Sequence, residues 1–184
     1  MSIDPLGHTL LIIARNVIEK KFDRASQSQV VTSHPDLEKP AATFVTLTQK
    51  GMLRGCIGSL EARRSLATDV AGNAVAAAFH DPRFPPLRQS ELDMTRIEVS
   101  LLDTPEPLSF TDETEALGRL RPGIDGLILT CGSQRATFLP QVWESLPTPQ
   151  SFLQNLKLKA GLPVTFWSPQ LTLARYGVQK WKEP

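Results

Sequence analysis

The sequence predicts an α+β fold: two β-β-α-β-like halves with largely antiparallel sheets, helices packed on them, and a groove between the halves. Three observations lead there. Strands and helices come in mixed order with hairpins, which is the α+β arrangement. The order hairpin, helix, strand occurs twice, over about 43–102 and about 126–177, so the halves read as pseudo-repeats. The 15 prolines are scattered over many short connections, which implies frequent turns within one packed domain spanning 1–184.

An N-terminal helix is expected over Thr9–Phe22, where Leu10, Ile13, Ala14, Val17 and Ile18 recur at helical spacing. Asp23–Pro40 is polar and turn-rich and reads as a long surface connection. Thr43–Thr48 has the β-branched and aromatic content of a strand. Lys50-Gly51 marks a turn, and Met52–Ile57 returns as the second strand of a hairpin. Ser65 is the expected N-cap of a helix running to about Phe79, rich in alanines that permit close approach to a sheet. Asp81-Pro82-Arg83-Phe84-Pro85-Pro86 follows as a stiff loop, because proline stops helices and fixes φ. Arg96–Leu102 alternates as a strand. In the second half, Asp112–Leu120 is a short helix, and Gly126–Thr130 with Arg135–Leu139 forms a hairpin around Gly132-Ser133. Thr148-Pro149 opens a helix that Gly161 ends. Val164–Trp167 and Leu171–Tyr176 are the remaining strand candidates, and Lys157 and Lys159 are expected as partners of a helix C-terminus.

Composition sets the limits. The chain of 184 residues has 41% hydrophobic and 21% charged residues and a formal net charge of +1. Such a balance argues against wholesale electrostatic capture by nucleic acid or membrane. No apolar run approaches the roughly 20 residues that span a bilayer. The start of the chain lacks the basic region and cleavage site of a signal peptide. Cys56 and Cys131 lie in unlike contexts and suggest no disulfide framework, so a cytoplasmic, reducing setting is expected. Two cysteines and three scattered histidines show no metal-ligand spacing, and no glycine-rich phosphate loop occurs, so neither a metal nor a cofactor is expected.

Chemistry concentrates in Leu53-Arg54-Gly55-Cys56-Ile57-Gly58. Successive strand side chains point to opposite faces, so Met52, Arg54 and Cys56 are expected on one face and Leu53 and Ile57 on the other. A cation beside a thiol favours the thiolate, the reactive form of cysteine. Gly55 and Gly58 leave backbone open to a ligand or to another chain segment. Cys56 is thus a candidate nucleophile, a ligand-contacting thiol, or a small packed residue. Arg54 is a candidate anion binder, with an ion pair to Glu98 as the structural alternative. Asp81 and Arg83 either organise the proline-stiffened turn or bring a second guanidinium beside Arg54. His80 is a weak candidate base for Cys56 and Glu98 a weak catalytic candidate. Gln141, a polar residue following a strand, is a candidate groove-lining residue.

The chain resembles the AMMECR domain family, whose prokaryotic members are called AmmeMemoRadiSam system protein A. The resemblance runs through Phe44-Val45-Thr46-Leu47, Leu53–Gly58, Asp81-Pro82-Arg83-Phe84, Glu98-Val99-Ser100, Leu139-Pro140-Gln141-Val142 and Lys159-Ala160-Gly161-Leu162. It implies an α+β fold of two unequal parts, with the cysteine motif near their cleft. The family's system name implies Memo-type and radical-SAM-type partners and a protein- or RNA-modification pathway. His80 lies outside the motif. Two functions follow as expectations: an enzyme or enzyme subunit with a Cys/Arg cleft for an anionic small molecule or a modified macromolecule end, or a non-catalytic adaptor for the system's partners. Nucleic acid ranks last among partners because the net charge is near zero.

Overall fold

The computed structural model describes residues 4–24 and 34–184. Its elements run α1 (Pro5–Lys20), β1 (Pro40–Ala41), β2 (Thr43–Gln49), β3 (Met52–Gly58), β4 (Arg64–Ser65), α2 (Leu66–Phe79) and β5 (Thr95–Leu102). They continue with β6 (Glu106–Leu108), α3 (Glu113–Arg119), β7 (Gly126–Cys131), β8 (Gln134–Phe138), α4 (Pro149–Lys159), β9 (Thr172–Tyr176) and β10 (Val178–Lys182). Short 3-10 turns stand at Pro35–Glu38, Gln89–Met94 and Pro140–Glu144. The chain forms two compact units, one comprising residues up to Leu102 with Gln179–Pro184, the other Asp103–Val178. The mixed, largely antiparallel α+β architecture agrees with the expected class.

In the first unit the sheet order is β10-β5-β2-β3, and β2 pairs antiparallel with both β3 and β5. Lys50 and Gly51 close the β2–β3 hairpin with φ of 50° and 81°, the left-handed pair that matches strand twist. Alternation in β2 sends Val45 and Leu47 into the core, opposite Val99 and Ile97 of β5. Leu10, Ala14 and Ile18 of α1 and Val70, Ala74 and Ala77 of α2 cover that face. The small side chains let α2 lie against β3 so closely that a Cβ at Gly55 would stand 2.1 Å from the Ala77 carbonyl oxygen. Asp4 starts α1 by accepting the Leu6 N–H at 3.0 Å, four residues earlier than the hydrophobic spacing predicts.

A β-bulge changes the reading of the cysteine motif. Leu47 faces Gly55 and Thr48 faces Leu53, so Arg54 has no opposite number in β2. One inserted residue shifts the alternation. Leu53 therefore shares a face with Thr48, Thr46 and Cys56, contrary to the simple alternation, and Arg54 does not accompany Cys56.

The second unit has the antiparallel order β6-β9-β7-β8. Leu127, Leu129, Leu173, Phe152, Leu153 and Leu156 form its core. Trp143 stacks on Phe152 at 3.8 Å, and its indole N–H donates to the Asp125 carbonyl at 2.7 Å. Thr148 caps α4 by accepting the Ser151 N–H at 3.2 Å, and Gly161 ends it at φ 79°.

Lys157 lies in the last turn of α4, at the helix C-terminus as expected, and its side chain is fully buried, with Nζ 2.6 Å from Glu113 Oε1, 3.2 Å from the Val164 carbonyl and over the Trp167 ring. One expectation changes here. Val164–Trp167 is not a strand. A buried ammonium needs acceptors, and the irregular backbone supplies one at Val164 while Phe166 and Trp167 pack on the core.

Candidate functional site

The loop after α2 is built onto the edge of β3. Asp81, almost fully buried, accepts the Cys56 N–H at Oδ2 (2.8 Å) and the Arg83 N–H at Oδ1 (3.1 Å). Arg83 returns two bonds to that carboxylate, from Nε at 3.0 Å and Nη2 at 2.7 Å, and donates from Nη2 to the Cys56 carbonyl at 3.1 Å. Both backbone groups of Cys56 that point away from β2 are thus satisfied by one Asp-Arg pair, which caps an edge strand that would otherwise offer open pairing positions. The Arg83 guanidinium holds the Asp81 carboxyl well below the usual carboxylate range, against the opposing effect of burial. Arg83 is in turn raised, first by Asp81 and further by the Cys56 side chain. The guanidinium beside the thiol is therefore Arg83.

Cys56 is partly exposed and carries a free thiol. Its Sγ accepts a hydrogen bond from Thr46 Oγ1 at 3.3 Å. Thr46 faces Cys56 on one side and Glu98 on the other, so Cys56, Thr46 and Glu98 form a row across β3, β2 and β5. Gly58 lies on the same face, two residues along β3, under the Phe44 ring; a Cβ there would stand 2.2 Å from the ring.

Arg54 lies elsewhere. It is 9% exposed and pairs with Glu91, not with Glu98: Nε to Oε1 at 2.9 Å and Nη2 to Oε2 at 3.2 Å. Gln49 donates to the same Oε1 at 3.1 Å, and Arg88 N–H to Oε2 at 2.8 Å. Arg54 Nη1 is buried without a hydrogen-bond partner. His80 ends α2 as its C-cap and is exposed. Gln141 is exposed in the second unit, in the 3-10 turn Pro140–Glu144. The structure thus gathers Cys56, Asp81, Arg83 and, along the sheet face, Glu98 and Gly58. It sets Arg54 and Gly55 into the packing beneath.

Thr46 and Glu91 escape the sequence reading. Counting back from the Lys50-Gly51 turn places Thr46 opposite Gly55, and only the bulge moves it to Cys56. Glu91 has no sequence signal beyond being acidic, because its partner is 37 residues away.

Acid sensitivity follows from these pairs. Glu91 falls from an ordinary 4.5 to about 2, chiefly through Arg54, and Asp81 is lowered as well. A carboxyl whose folded pKa is depressed contributes stability above its unfolded pKa and loses it as pH falls through the folded value. Denaturation midpoints should therefore hold from pH 7 to about 4.5 and fall toward pH 2. A midpoint unchanged across that window would contradict both pairs.

Among the described residues no helix is long and apolar enough to cross a membrane, and no group of three or more His, Cys, Asp or Glu side chains is placed to hold a metal ion. The AMMECR1 family model matches residues 11–181. A protein of Methanothermobacter thermautotrophicus is 38% identical over 184 residues, covering 96% of this chain and 94% of its own. One from Thermotoga maritima is 38% identical over 147 residues, covering 79% of each chain. The crystal structure of an uncharacterized protein from Pyrococcus horikoshii superposes with a TM-score of 0.81 at 30% identity, covering 98% of this chain and 93% of that one.

Proposed function

The chain belongs to the AMMECR1 family, and on that premise we propose that it is an enzyme or enzyme subunit whose substrate-contacting group is the Cys56 thiol. The carrying observation is the partly exposed Sγ, held by Thr46 Oγ1 and flanked by the half-exposed Arg83 guanidinium. A neighbouring guanidinium favours the thiolate, the nucleophilic form. Asp81 and the Cys56 carbonyl take Nε and Nη2 of Arg83, which leaves Nη1 for an anionic group of a small-molecule substrate. The setting we propose is a cytoplasmic protein- or RNA-modification pathway with Memo-type and radical-SAM-type partners.

Alkylation of Cys56 at pH 7, resolved from Cys131 by peptide mass, tests the reading. Cys56 should react faster in the folded protein than in the urea-unfolded chain, and Arg83→Gln should slow it by about ten-fold if thiolate stabilisation by the cation is the cause. A folded thiol slower than the unfolded one would end the proposal.

A second reading is favoured by the same bonds. Asp81 and Arg83 tie down the backbone of Cys56, which gives the motif an architectural task suited to a non-catalytic adaptor. A stable complex with purified Memo-type or radical-SAM-type protein, indifferent to Cys56→Ser, would select the adaptor.

A further inference from the structure

A second feature of the first unit lies past the end of β3 and shares only Gly58 with the thiol site. Residues 58–61, Arg63 and Arg64, with Asp69 of α2, surround an open hollow of about 600 Å3, within the range of small-molecule pockets. Its walls are built from a rigid polar cluster. Asp69 is buried and accepts Thr43 N–H (2.9 Å), Thr43 Oγ1 (2.7 Å), Asn73 Nδ2 (2.9 Å) and Ser59 Oγ (2.7 Å). Its Oδ1 also receives Nε and Nη2 of Arg64 at 3.2 and 2.8 Å. Six donors on one carboxylate leave it no freedom, so the guanidinium resting on it is fixed as well. Gly72 makes the position possible: a Cβ there would stand 2.8 Å from Arg64 Nη1. Asp69 uses the Nε and Nη2 side of the fork, and Nη1 remains as a donor.

Arg63 brings the second cation. Its side chain is 79% exposed and bonds Glu61 through Nε and Nη2. A backbone donor completes the set. Ser59 N–H bonds the Thr43 carbonyl at 2.8 Å, so Ser59 and Thr43 are the hydrogen-bonded pair. In an antiparallel ladder the residue before it turns its N–H outward. That residue is Gly58, on the outer strand of the sheet and at the wall of the hollow. At Cys56 the same outward N–H is capped by Asp81.

We infer that this hollow binds a small ligand through an oxyanion group, phosphate or carboxylate, held by Arg63, Arg64 and the Gly58 N–H. The planar fork of arginine matches both groups. Leu60, an exposed apolar side chain at the wall, meets the ligand's uncharged part. The four charged side chains balance to zero, so a ligand must compete with Glu61 for Arg63. That competition sets the direction of one variant. The inference is independent of the reactivity of Cys56.

Amide NMR at constant ionic strength tests it, with inorganic phosphate and acetate titrated separately. Saturable shifts at Gly58, Ser59 and Arg64 are expected with at least one of the two. Arg63→Gln, an exposed change that leaves the Asp69 cluster intact, should weaken binding about ten-fold, in the range of one charge-assisted contact. Glu61→Gln should tighten it by removing the competitor. Shifts that do not saturate with either anion, or affinity unchanged in Arg63→Gln, would overturn the site.

Discussion

Glu91→Ala should lower folding stability by roughly 3–5 kcal/mol, the cost of stranding one member of a buried ion pair. Arg54 is nine-tenths buried and already has one nitrogen without a partner. Removing Glu91 would orphan Nε and Nη2 of Arg54 and take one of two acceptors from the Gln49 amide, which keeps Thr95 Oγ1 at 3.0 Å. A domain is stable by only about 5–15 kcal/mol, so the loss would show directly in a urea midpoint. The double variant Arg54→Met, Glu91→Leu separates two explanations. If the damage comes from an unpaired charge, the apolar pair should recover most of it, since well-packed hydrophobic replacements of buried pairs are often neutral. A double variant as unstable as Glu91→Ala would show that the shape of the pair at the bulge, not its charge, matters.

Gly55→Ala should cost about 3 kcal/mol or more, at the upper end for overpacking, because the obstacle is backbone. The added methyl would meet the Ala77 carbonyl oxygen at 2.1 Å. No rotamer change relieves that contact; β3 or α2 must move. Since Cys56 is the next residue and Asp81 follows α2 by two residues, the movement would also loosen the Cys56–Asp81 bond. Gly55→Ala should therefore both lower the thermal midpoint and alter the Cys56 alkylation rate. Unchanged values for both would mean that helix and sheet are spaced more widely than described. Gly58 is constrained differently, by the ring of Phe44, so Gly58→Ala paired with Phe44→Ala should tolerate the methyl better than Gly58→Ala alone.

The two glycines explain why the cysteine motif reads as open backbone in the sequence. Neither would leave room for a side chain: Gly55, on the core face, admits a helix, and Gly58, on the opposite face, admits an aromatic ring. The same distinction applies to the two arginines. Arg54, the nearer in sequence to Cys56, became an interior ion pair, whereas Arg83, 27 residues away, reached the cysteine. The stiff Asp81–Pro86 loop was legible as a turn, and the Asp81 bond to the Arg83 N–H is that turn. Its second task, closing the edge of β3, has no local signature. The hairpin, the Ser65-capped helix, the second hairpin and α4 were legible because periodicity, turn residues and caps act over a few neighbours. Val164–Trp167 reads as a strand and is none, and the burial of Lys157 beside it has no local signal, because it depends on Glu113, far along the chain.

Local chemistry alone therefore determined the mixed α+β class, the order of most elements, the turn at Lys50-Gly51 and the presence of a reactive residue type at position 56. The tertiary structure decided which cation stands beside that thiol, which face Leu53 occupies and where Arg54 is spent. The physical reason is that strand alternation holds only while pairing stays in register. A single inserted residue reverses it, and the contacts that follow are set by segments tens of residues away.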